Sequence, residues 1–199
     1  QPESTVTEFN QNASFQVPYH EYMNYQWQTI HAAGDEWTDL ADTGAYQGAS
    51  THVLSIISAP PALNDKPYRC RVSGSCAPPV ISQTVRLYVV PPGWMMELTP
   101  THHKIHLLVS AQPTINGQPI AAGDYIGVFF ENDGQTICAG ATRWKGSMPV
   151  DILAYGDDPA TPVKDGFAGG ESFLWRIYPL SDEEDFMAIP EYVLGPQVY

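Results

Sequence analysis

Tyr25-Gln-Trp27-Gln, answered later in the chain by Tyr68-Arg-Cys70, constrains this sequence more than any other feature. A Trp in the middle of an alternating stretch fills the gap between two packed sheets, and a Tyr two residues before a Cys on a later strand ties down a corner of such a sandwich. Both stretches alternate apolar and polar residues, as strands with one buried face do. The wider composition agrees: 18 Pro, 16 Gly, 11 Tyr and 7 Phe suit many short strands joined by turns, and runs of helix formers are few. The chain reads as all-β.

The same alternation marks strands over residues 13–17, 22–29, 51–57, 68–72 and 84–90, with a short one over 37–40. Their spacing predicts a Greek-key, immunoglobulin-like β-sandwich over residues 1–91. Phe15 stands where the first cysteine of an inter-sheet pair would be. An aromatic ring that buries about 150–250 Å² fills the same volume, so Cys70 has another partner or none. Val72-Ser-Gly-Ser75 reads as a hairpin turn, which sets Cys70 and Cys76 across adjacent strands within disulfide reach. The spacing predicts that bridge; the alternative is a pair of buried thiols in a reducing compartment.

Val90-Pro-Pro-Gly93 is the seam, because two prolines remove ladder donors and the glycine permits a sharp redirection. Residues 92–199 then reopen with strands. One runs over 103–109 and two more, over 124–130 and 135–139, bracket Glu131-Asn-Asp-Gly134 as a hairpin; others cover 150–155 and 172–178. Ile115-Asn-Gly117 gives a further tight-turn signal. Ser181-Asp-Glu-Glu-Asp185 serves equally as a helix start or an acidic loop. This half is expected to be a second β-sandwich in tandem with the first, and 199 residues suffice for two such cores.

The formal charge of −13 is uneven: residues 1–91 carry eight acids against four Lys and Arg, and residues 92–199 carry fourteen against five. A surface of that sign repels phosphate backbones, so nucleic acid and anionic membranes are not expected partners, whereas cations and neutral sugars are compatible with it. No run approaches the apolar length that spans a bilayer. Gln1 opens without a Met or a leader, as expected of a mature or excised segment.

The ordered set Tyr25-Gln-Trp27-Gln, Trp37-Thr-Asp-Leu40, Tyr46-Gln-Gly48-Ala49, Leu54-Ser-Ile56, Tyr68-Arg-Cys70-Arg-Val72-Ser-Gly74-Ser-Cys76 and Leu87-Tyr-Val89 resembles the immunoglobulin-like repeats of large secreted or surface proteins of Bacteroidetes-type bacteria. The resemblance covers about residues 5–90. It implies export, an extracellular or cell-surface location, a multidomain parent and a spacer or adhesion role, and it implies no catalytic residue. Pro92-Gly-Trp94, Ile115-Asn-Gly117, Gly123-Asp-Tyr-Ile-Gly-Val128, Asn132-Asp-Gly134, Trp144-Lys-Gly146, Gly156-Asp-Asp158, Lys164-Asp-Gly-Phe167 and Phe173-Leu-Trp175 are similar to a β-rich module of the same class of exported proteins, for which no activity is implied.

Four groups of residues invite chemistry. Asp157, Asp158 and Asp165 lie in a Gly- and Pro-rich loop that can wrap a calcium ion or can serve as self-capping turns. His102, His103 and His106 fall on a strand, which puts His102 and His106 on one face about 13 Å apart, too far to share a zinc ion. Cys138 sits in an apolar strand, as a small buried side chain does and a reactive thiolate does not. Trp144, Trp37 and Tyr46 offer flat faces for sugar rings, with Trp144, beside Lys145-Gly146, expected to be the most exposed, while Trp27 and Trp175 read as core. A glycosidase carboxylate pair has no sequence spacing to betray it and stays open. No nucleophile, base and orienting group can be assembled, so the chain is expected to do no chemistry and to meet a surface protein or a glycan by contact, with a carbohydrate-binding module as the alternative.

Overall fold

The computed structural model describes residues 1–31, 34, 36–75, 78–192 and 198–199. The protein is all-β, and no helix among the described residues is long and apolar enough to cross a membrane. Two units divide it, Gln1–Val90 and Pro91–Tyr199, with the break at the double proline.

Nine strands build the first unit: β1 (Thr5–Glu8), β2 (Ala13–Gln16), β3 (Asn24–Thr29), β4 (Thr38–Asp39), β5 (Tyr46–Gln47), β6 (Val53–Ile56), β7 (Lys66–Ser73), β8 (Val80–Ile81) and β9 (Val85–Val90). One sheet runs β1-β9-β7-β3-β4, with β8 also on β7, and the other runs β2-β6-β5. Setting β9-β7-β3 against β2-β6-β5 matches the division of an immunoglobulin sandwich, from which β1 departs by joining β9. Inward positions meet as the alternation requires. Trp27 is fully buried, lies opposite Cys70 on β7, and has Phe15 at 6.2 Å between ring centroids. Its indole N–H donates to the Thr51 carbonyl at 2.9 Å, so the one polar atom of the ring is satisfied inside the core. Phe15 in turn packs 5.2 Å from Tyr68 and fills the place of the missing cysteine. The Tyr68 hydroxyl does not reach the backbone; it shares a 3.1 Å hydrogen bond with the hydroxyl of Tyr46 on β5 and so ties one sheet to the other.

The Cys70–Cys76 disulfide expected from the hairpin is not formed: Cys70 is a free, buried thiol, and Cys76 lies outside the described residues. Strand register gives the reason. β8 meets β7 with Ile81 opposite Arg71 and Val80 opposite Val72, so the connection is longer than a tight turn and Ser82 faces Cys70. Ser82 N–H donates to the Cys70 carbonyl and the Cys70 N–H donates to the Ser82 hydroxyl, both at 2.9 Å.

Eight strands make the second unit: β10 (His102–Leu107), β11 (Thr114–Ile115), β12 (Gln118–Pro119), β13 (Tyr125–Asn132), β14 (Gln135–Arg143), β15 (Val150–Tyr155), β16 (Leu174–Tyr178) and β17 (Phe186–Ala188). β14-β13-β16-β17 form one sheet, β10-β15 a two-stranded one, and β11-β12 a small hairpin. Two tight turns fall where the sequence puts them. Asn116 and Gly117 (φ 50° and 78°) and Asp133 and Gly134 (φ 50° and 78°) both hold the paired left-handed conformations that a two-residue hairpin loop needs. On one face of the larger sheet Ile126, Val128, Phe130 and Trp175 join Ile152 of β15 and the loop residue Phe167 in the core. Trp94 covers the other face, with its ring centroid 5.1 Å from Phe129 and 6.0 Å from Tyr178 and its indole N–H donating to Asp185 at 3.0 Å. Residues 181–184 form turns rather than a helix, which leaves Asp185 free to accept from Trp94 and from Arg176.

Candidate functional site

Tyr25 sets the geometry at one end of the first unit. Its ring is buried at the start of β3, while its hydroxyl accepts the His20 N–H at 2.7 Å and lies 3.3 Å from the Pro18 and His20 carbonyls, to which it can donate. Val17 N–H donates to the His52 carbonyl at 3.0 Å and fixes the other side of the same loop. Held in this way, the loop turns its large side chains outward. Tyr19 is 63% exposed and meets His52 edge-on at 5.2 Å, and Tyr22 is 92% exposed. Met23 follows on the surface with its sulfur over Gly74, where an added Cβ would stand only 2.8 Å from it. Val80 of β8, in register with Val72 and through it with Tyr25, is exposed too.

Tyr22 has φ of +62°. A left-handed conformation costs a side chain of this size about 1–2 kcal/mol, and the exposed ring recovers none of that by burial. Strain of this kind collects at sites of function.

The aromatic set chosen from the sequence is distributed differently. Trp144, expected to be exposed, is 5% exposed and belongs to the second core. Its backbone is locked to the start of β13, with Trp144 N–H donating to Asp124 O at 2.7 Å and Gly123 N–H donating to Trp144 O at 2.8 Å, so the ring turns inward. Trp37 is half-buried, and the Arg69 guanidinium lies 4.2 Å from its ring centroid while Arg69 Nε donates to Gln28. Tyr46 packs against the first core with its hydroxyl on Tyr68. Trp27 and Trp175 are core residues. Within the first unit Trp37, just before β4, and Tyr46, on β5, stand by different sheets; Trp144 belongs to the second unit.

The acidic loop spends its oxygens on itself. Asp165 N–H donates to Asp157 Oδ1 at 2.9 Å, Asp158 N–H to Asp165 Oδ1 at 2.8 Å, Thr161 Oγ1 to Asp165 Oδ2 at 2.8 Å, and Ala160 N–H to Asp158 Oδ1 at 2.9 Å. Burial raises the Asp165 pKa, but hydrogen bonds led by those from the Asp158 N–H and the Thr161 hydroxyl outweigh it and hold the carboxyl below its usual range. Among the described residues no group of three or more His, Cys, Asp or Glu side chains is placed to hold a metal ion. Asp157, Asp158 and Asp165 thus cap the turns of their own loop.

His102 and His106 lie exposed on β10, with His106 Nδ1 2.7 Å from Asp151, which Lys104 also contacts. Cys138 is buried, and burial pushes its thiol up to about 12; Cys70, also buried, is pushed up to about 11. Neither is a poised nucleophile. No protein-family profile matches the chain, and no curated protein matches it.

Proposed function

We propose that the chain is a non-catalytic pair of modules from a larger exported bacterial protein, placed outside the cell or on its surface and working by adhesion or spacing. Tyr22 carries this reading: a bulky aromatic kept in a strained backbone conformation and almost wholly in solvent lowers stability, so its retention is best accounted for by a contact made outside the chain. Tyrosine suits such a contact because it offers a large amphipathic face at the cost of few rotatable bonds. The connection it stands on joins the second and third strands of the sandwich, at the end where immunoglobulin variable domains carry binding loops.

The partner is a surface protein or a glycan. Of the three rings Trp144, Trp37 and Tyr46, the first is buried in the second core and offers no face to a sugar, while Trp37 is half-buried against Arg69 and Tyr46 half-buried with its hydroxyl on Tyr68, so neither is as open as Tyr19 and Tyr22. Tyr19 and Tyr22 are the rings available for stacking. Retention of the intact chain on immobilised glycans and surface proteins tests the proposal, with binding expected to one class and no conversion of it. Turnover that persists through repurification and falls when a single carboxylate is replaced would remove the proposal.

A further inference from the structure

β17 closes the four-stranded sheet of the second unit, since it pairs with β16 and with no other described strand. Natural edge strands are usually blunted by lysine or by inward charge. This one is limited only by its length of three residues and by Pro190 beyond it, and it carries no charge of its own: Met187 is 81% exposed and Ile189, one residue past the strand, is 98% exposed. Two residues apart, they share one face of the strand. Pro190 follows and stops the ladder, so the open stretch is residues 186–189. The strand is well seated, because Arg176 on β16, opposite Met187, bonds Asp185 at 3.0 Å just before β17 begins and reaches Thr136 on the far side of the sheet at 2.8 Å.

The surroundings are acidic. Asp182, Glu183 and Glu184 precede the strand and Glu191 follows it, no Lys or Arg lies in 181–191, and none of these four carboxylates is in an ion pair among the described residues. Glu183 and Asp185 add to burial in raising the Tyr178 pKa, so the field reaches into the sheet. A second copy of this edge would bring like charges together at both ends of an antiparallel pairing. An extended segment with apolar residues at alternate positions and basic residues at its flanks would meet complementary groups along its whole length.

We infer that the β17 edge is a docking site for an extended protein segment of that chemistry, which adds as a fifth strand with its apolar side chains on Met187 and Ile189 and its cations on Asp182, Glu183, Glu184 and Glu191. The inference names a surface for the contact role and rests on that reading. The two fail separately: turnover removes the role, whereas loss of the edge leaves Tyr22 as the contact.

The test uses the full chain with two end-blocked probes, Lys-Thr-Val-Thr-Val-Thr-Lys and Glu-Thr-Val-Thr-Val-Thr-Glu. The basic peptide should bind at least tenfold more tightly, weaken as salt rises, and shift backbone amide resonances of β16 and β17 alone. Met187→Lys with Ile189→Lys should abolish binding and leave the unfolding midpoint in place; Met187→Thr with Ile189→Thr, which adds no charge, should weaken it. Equal binding of the two peptides, shifts elsewhere, no binding of either, retained binding in the lysine variant, or a dimer built through this edge would each overturn the inference.

Discussion

Trp94 occupies the space that a side chain at Gly127 would need: a Cβ there would stand 2.6 Å from Cζ3 of the indole. Gly127 is not in the left-handed region, so what it supplies is room alone. The ring reaches across β13 through that gap to Phe129, Tyr178 and Asp185, and it seals the face of the sheet opposite the main core.

Gly127→Ala should therefore destabilise the second unit by about 1–3 kcal/mol, the usual result of overpacking. The same change made in a Trp94→Ala background should cost less, because the closest clash is gone and only Phe129 Cε2, at 3.0 Å, still has to give way. Denaturant unfolding of the four proteins of this cycle measures the difference. Additive losses would mean that Trp94 does not lie over Gly127.

Trp27→Ala should cost the first unit about 3–5 kcal/mol, as a large ring leaves a sealed core and strands its Phe15 and Cys70 contacts. Calorimetry should show one unit melting earlier while the other holds. An unchanged first-unit midpoint would contradict the core assignment.

The cysteines give a chemical check. With the Cys70 and Cys138 thiols buried and pushed up to about 11 and about 12, a disulfide-exchange reagent at pH 8 should leave both unlabelled until the protein unfolds. Reductant should leave the first-unit midpoint where it is. A fall of several degrees on reduction would show that Cys70 is bridged after all.

Glu171 gives a pH signature. Burial raises its pKa, but Lys164 Nζ at 2.7 Å and the Ala168 N–H at 2.9 Å outweigh that, so its folded pKa lies below the ordinary value. A depressed carboxyl contributes stability that is fully present above the unfolded pKa of about 4.3 and is lost as pH falls through the folded value. Lys164→Met should lower the second-unit melting temperature most above about pH 5, with the gap narrowing toward about pH 3. A gap independent of pH would assign the effect to packing of Lys164 over Phe130, 4.9 Å from its ring centroid, instead of to the ion pair.

Much of the frame is legible in the residues. Trp27, Phe15, Leu54 and Tyr68 fall on the inward side of alternating strands, and Asn116-Gly117 and Asp133-Gly134 hold the turn conformations that asparagine or aspartate before glycine favours. What escapes the sequence depends on partners far along the chain. β1 is short and joins β9 in parallel, a pairing that its own alternation does not encode. Trp144 looks like a loop residue beside Lys145-Gly146, yet its burial follows from backbone bonds to Gly123 and Asp124. Cys70 and Cys76 fit a tight hairpin by spacing, but the strand pairing is taken by Val80 and Ile81. Tyr22 carries no signal, since nothing in a tyrosine announces a left-handed turn.

The most direct measurement is binding and unfolding in parallel for Tyr22→Gly and Trp144→Ala, on whichever glycan or surface protein retains the parent chain. Glycine tolerates the left-handed conformation, so Tyr22→Gly should keep or raise the unfolding midpoint and lose binding at least tenfold. Trp144→Ala should do the reverse, lowering second-unit stability by about 3–5 kcal/mol while binding below its melting temperature survives. Binding that ignores Tyr22→Gly and vanishes with a still-folded Trp144→Ala would contradict the account.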